Sequence, residues 1–131
     1  ITNYKIVVIP IKFNSYLKKY EIRISTGPEE FLGLIKNARL ILTDSFHGTI
    51  FSLLFEKDFY VFKRFSDSDK KSQNSRIYNI LKMVNLEDRI IDKNIILNNS
   101  SISIVKYKQI KEILDEKIKK SKSFLLNALK E

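Results

Sequence analysis

Residues 40–56 read LILTDSFHGTIFSLLFE, and how this stretch divides decides the fold. Leu40–Thr43 is a short, fully apolar run of strand length, predicting a buried strand. Gly48–Glu56 is apolar almost all round, which predicts a buried helix. Between them Asp44, Ser45, Phe46 and His47 leave room only for a tight turn, and Asp and Ser are ordinary helix N-caps. A strand that turns at once into a helix is the repeating unit of α/β architecture.

The flanks extend the pattern in both directions. Upstream, Thr26-Gly27-Pro28-Glu29-Glu30 is a helix start, with proline suited to the first turn and two carboxylates at the positive end of the dipole. Phe31, Leu34, Ile35 and Ala38 then form one apolar stripe. Lys5–Ile11 (KIVVIPI) reads as a strand, and the alternation in Glu21–Ser25 (EIRIS) as a second, shorter one. Downstream, Phe59–Lys63 (FYVFK) is the next strand, and Ser66–Ser75 a polar loop. Ile77, Ile80, Leu81 and Val84 restore a helical stripe, one short strand is expected within Ile90–Leu97, and Ser103–Leu129 closes the chain as a helix. This order predicts a Rossmann-like α/β domain with a mainly parallel sheet flanked by helices.

The chain has 131 residues, the size of one domain, so residues 1–131 are expected to form a single compact unit. It opens on Ile1 within a strand-like stretch, the look of a piece of a longer protein. Without cysteine, disulfides and thiolate metal sites are excluded. No apolar run approaches the ~20 residues needed to span a bilayer, and the expected location is cytoplasmic. The net charge of +9 favours anionic partners. Nineteen of the 24 basic residues are Lys, however, which is a bias of composition more than a built nucleic-acid surface.

His47 is the only histidine, on a turn that opens a helix. Ligands of open parallel sheets bind outside the carboxyl ends of strands, and free N–H groups with the dipole make a helix start an anion site. An imidazole there can donate to phosphate and exchange a proton near neutral pH. The competing reading is a capping turn with a packed histidine, which would also account for Asp44 and Ser45. Gly48 would allow a ligand close to the backbone.

The wider stretch GPEEFLGLIKNARLILTDSFHGTIFSLLFEKDF resembles the signature of the polysaccharide pyruvyl transferase family, with Asn-Ala before the strand and Asp-Ser-Phe-His-Gly-Thr after it. Ser75-Arg76-Ile77-Tyr78-Asn79-Ile80-Leu81 and Asn85-Leu86-Glu87-Asp88-Arg89 resemble its later elements, so the likeness runs from about Ile22 to Arg89. One departure is Asp58, where the family usually has proline before the phenylalanine that opens the strand.

The resemblance implies the C-terminal, donor-side half of a two-domain enzyme like the GT-B glycosyltransferases, with the N-terminal domain outside this chain and the isolated piece inactive. It implies phosphoenolpyruvate as donor, a glycan or lipid-linked sugar as acceptor, and a cyclic pyruvyl ketal as product. One histidine and scattered carboxylates give no metal-ligand spacing, so chemistry without a metal or cofactor is expected. On the resemblance, His47 is the acid/base or phosphate contact, with Asp44 as its orienting group or a base. The residues expected to bind substrate are Ser45, Phe46, Gly48 and Thr49, through backbone N–H groups around Phe46–Thr49, with Arg76 and more weakly Arg64 as anion clamps.

Two rivals accompany this reading. A sugar-nucleotide glycosyltransferase would place an anion at the same helix start. A non-enzymatic basic module would bind anions or a membrane through the C-terminal helix, which from Ser103 onward holds eight Lys against four acidic residues. The bland counterpart is a packed helix with a solvated lysine face. Peripheral membrane contact is compatible with either enzymatic reading.

Overall fold

A computed structural model describes residues 4–10, 20–63, 74–91 and 104–130. The described chain alternates strands and helices in the order predicted. Strands β1 (Val7–Val8) and β2 (Glu21–Ile22) are followed by helix α1 (Pro28–Asn37) and strand β3 (Leu40–Thr43). Then come α2 (Phe46–Leu54), β4 (Asp58–Phe62), α3 (Asn74–Met83), a 3-10 turn at Glu87–Arg89, β5 (Ile90–Ile91) and α4 (Tyr107–Ala128). Arg64 and most of the polar loop lie outside the described residues, as do Ile11, Ser103 and the later part of the Ile90–Leu97 stretch.

Every strand pairing among the described residues is parallel, as expected of βαβ connections. The strands fall into two sheets, however: β1 with β2, and β3-β4-β5 with β4 in the middle. In the first, Glu21 binds Lys5 and reaches Arg23 at 2.6 Å. The Lys5 ammonium, and after it Arg23, holds the Glu21 carboxyl below its ordinary range, against the opposing effect of desolvation.

Strand order corrects one expectation. Among the described residues β3 is an edge strand, and Leu42 is 59% exposed. The buried strand is the central β4, where Phe59 and Val61 alternate inward. An apolar sequence gives strand type, whereas burial on both faces depends on what packs over each face of the sheet.

α2 is likewise half of what its sequence suggests. Its buried face is Gly48, Thr49, Ser52 and Leu53, while Leu54 is 50% exposed. The hydroxyls on that face are satisfied locally: Thr49 Oγ1 donates to the Ser45 carbonyl at 3.0 Å and Ser52 Oγ to the Gly48 carbonyl at 2.7 Å. Small, internally bonded side chains let the helix axis approach the sheet. The outer side meets α1 through an edge-on contact of Phe31 with Phe51, ring centres 6.2 Å apart.

Both α2 and α3 end in left-handed residues, Glu56 (φ 53°) and Asn85 (φ 56°). The N–H groups of Lys57 and Leu86 reach back to the carbonyls of Ser52 and Leu81, each at 2.9 Å, which closes the helix ends. The core under the sheet joins Leu53, Phe59, Val61, Ile77, Leu81, Val84, Leu86, Val105 and Ile110. α4 thus contributes through its first turn, and that start is fixed twice more. Asp58 Oδ1 accepts from the Val105 N–H at 2.8 Å, and the Tyr107 hydroxyl donates to the Lys57 carbonyl.

Candidate active site at the start of the second helix

The turn from β3 to α2 is built by its own short-range bonds. Ser45 sits in an extended conformation as N-cap, and its Oγ accepts from the Gly48 N–H at 3.3 Å. Thr43 Oγ1 accepts from the Ser45 N–H at 3.1 Å, and the Ser45 carbonyl accepts from the Thr49 N–H at 3.0 Å. These bonds leave the first-turn N–H groups of Phe46 and His47 without an acceptor among the described residues, and they point from the helix start.

His47 occupies that first turn and is exposed. The imidazole stands edge-on to the Phe46 ring, centres 5.9 Å apart at 73°. On α3, the Arg76 guanidinium lies over the same ring at 5.1 Å from its centre. Phe46 is therefore the shared neighbour of the lone histidine and of Arg76, brought together from two helices. Arg76 stays exposed at its helix start, and Asp44 is half-buried between β3 and α2.

Two of the expected backbone contributors are placed differently from the sequence reading. Gly48 is buried, its N–H is taken by Ser45, and the space a side chain would need is filled by Thr43 rather than left for a ligand. Thr49 is 0% exposed, with both its N–H and its hydroxyl engaged by the Ser45 carbonyl. These two shape the turn from beneath. The surface that faces outward is narrower: Phe46, His47 and Arg76.

Other groups at this end of the sheet carry little sequence signal. Lys63, just past the carboxyl end of β4, sets its ammonium 5.5 Å from the Tyr78 ring centre. Beside it a cleft of about 10 Å³, room for roughly one water, is lined in part by Lys63, Asn74 and Tyr78. Arg89 is 2% exposed and lies over the Tyr60 ring, with Asp88 at 3.7 Å. Only its place in the Leu86–Arg89 motif marks it in the sequence. Among the described residues, no three His, Asp or Glu side chains gather as a metal site would require.

A model of the family described as polysaccharide pyruvyl transferase matches residues 2–66. No curated protein and no solved structure matches the chain. The match takes in β3, the capped turn, α2 and β4, and stops short of Arg76 and of the Leu86–Arg89 motif. The elements that set His47 at a helix start are thus the ones the family shares, and the chain belongs to the polysaccharide pyruvyl transferase family.

Proposed function

We propose that this chain is the donor-side part of an enzyme that transfers pyruvyl from phosphoenolpyruvate to two hydroxyls of a glycan. The family is a transferase family with a glycan acceptor, and the chemistry of the donor fits the exposed groups. Phosphoenolpyruvate carries a phosphate and a carboxylate within a few ångströms, so its site needs several donors and positive charge. One glycan hydroxyl adds to C2 while C3 takes a proton and becomes methyl. The second hydroxyl then displaces phosphate, which leaves with the remaining proton as inorganic phosphate.

The observation that carries this reading is the pairing of His47 and Arg76 about the Phe46 ring, beside two outward N–H groups. The imidazole is positioned to hold or pass the proton, and the guanidinium fork to bind one of the two anions. On this reading a second domain outside the chain, in a GT-B-like arrangement, supplies the acceptor side, and the reaction takes place in the cytoplasm.

The test is phosphate release, followed by phosphorus NMR, from the full-length enzyme given phosphoenolpyruvate and a glycan acceptor. Ketal and phosphate should appear together in equal amounts. Protection against heat unfolding by a sugar nucleotide, with none by phosphoenolpyruvate, would instead establish the glycosyltransferase rival.

A further inference from the structure

α4 belongs to the domain for only its first two turns. Ile110 is buried and Ile113 and Leu114 pack against the core, but from Asp115 to Lys130 every residue is exposed. The apolar stripe does not stop where the domain does. Leu114, Ile118, Leu125 and Leu129 follow one another at spacings of four, seven and four, so they continue along one helix face. Ile118 is 40% exposed, Leu125 58% and Leu129 74%; at ~100° per residue, Leu126 (59% exposed) lies about 80° to one side of Ile118 and Phe124 (77%) about 120° to the other. Three bare aliphatic side chains in line, widened by Leu126 and Phe124 on either side, are a larger apolar surface than scattered exposure produces.

Charge says what covers it. From Lys117 to Lys130 there are five lysines and no acid. At ~100° per residue, Lys117 and Lys119 flank the stripe on opposite sides, Lys122 lies at its edge about 40° from Ile118, and Lys120 lies behind it. We propose that the distal part of α4, from Lys117 onward, docks on an anionic lipid bilayer surface. Apolar side chains would enter the headgroup boundary while the flanking lysines lay their stems on it and reach the lipid phosphates.

Two copies of the chain meeting along this stripe would instead set flanking lysines against lysines, with no acid in the segment to answer them. The helix lies on the membrane and does not cross it: twelve residues span about 18 Å, well short of the ~30 Å hydrocarbon core. Among the described residues, no helix is long and apolar enough to cross a membrane. This docking stands apart from the transferase reading.

The experiment is co-sedimentation of the full chain with vesicles of phosphatidylcholine, with and without phosphatidylglycerol. Binding should require phosphatidylglycerol and weaken as salt is raised. The double variant Phe124→Ser/Leu125→Ser and the triple variant Lys117→Gln/Lys119→Gln/Lys122→Gln should each reduce it by about tenfold or more. All five positions are exposed, so circular dichroism should match the parent chain. Absence of binding, equal binding to neutral vesicles, or indifference to both variants would overturn the proposal. So would a dimer in light scattering that Phe124→Ser/Leu125→Ser dissolves, which would make the stripe a contact between copies.

Discussion

Thr43 lies so close to Gly48 that a β-carbon on residue 48 would overlap Thr43 Oγ1 and stand 3.1 Å from Thr43 Cβ. Both atoms belong to a strand end that cannot retreat, because the same Oγ1 holds the Ser45 N–H. Gly48→Ala should therefore destabilise the chain by about 1–3 kcal/mol through overpacking, read as a lower urea midpoint. Thr43→Ala alone should cost about 1 kcal/mol for its lost hydrogen bond. Combined, the two should show a coupling of roughly 0.5–3 kcal/mol, since the smaller residue at 43 makes room for the larger at 48. Strict additivity would show that the contact does not set the position of α2.

His47 presents the opposite case, an exposed side chain whose removal should leave stability unchanged. His47→Ala in the full-length enzyme should lower turnover by at least ~100-fold, the scale of a lost general acid or base. Near-normal turnover would take His47 out of the chemistry and leave the turn as a cap.

Arg76 meets the Phe46 face through a flat guanidinium, which lysine cannot reproduce. Arg76→Ala should raise KM for phosphoenolpyruvate about tenfold or more, the loss expected for hydrogen bonds to a charged group. Arg76→Lys should recover only part of it, because the charge returns without the fork. An unchanged KM in both variants would mean that Arg76 merely shields the Phe46 ring.

The turn was legible because its signals are local. Apolar run, Asp-Ser cap and apolar helix place β3 and α2 within two residues of their observed bounds. What the sequence did not reveal depends on partners far away along the chain. Leu42 is exposed on a strand that, among the described residues, pairs on one side only. Gly48, though near in sequence, is glycine because Thr43 on the adjoining strand fills its side-chain space. Arg89 is buried because Tyr60, on the central strand, lies beneath it. Neither periodicity nor composition carries such pairings, since each is set by the register of separate elements. The two-sheet division is of the same kind.

Asp58, where the family usually has proline, uses its side chain to tie the approach to α4 onto the start of β4. Asp58→Ala should cost about 1.5–3 kcal/mol, the range for a hydrogen bond to a charged group. Hydrogen exchange should show the loss first at Val105 and the opening turn of α4. Loss spread evenly over the domain would argue against a local tether.

Tyr107 makes the same junction sensitive to alkali. Its hydroxyl donates to the Lys57 carbonyl, with the Ser52 carbonyl at 3.3 Å, so the folded chain needs the phenol protonated. Burial first, and then the negative charge of Asp58, raise its pKa above the ordinary value near 10. A folded-state pKa above the unfolded one gives stability that is whole below pH ~10 and drains away as pH rises further, because only the unfolded chain can ionise there freely. Tyr107→Phe should therefore be less stable than the parent by about 1 kcal/mol at neutral pH. Above pH ~10 it should lose stability less steeply than the parent, so that the two urea midpoints converge. Parallel pH profiles across that window would show that Tyr107 ionises as readily folded as unfolded, and that its hydroxyl does not hold α4 to the sheet.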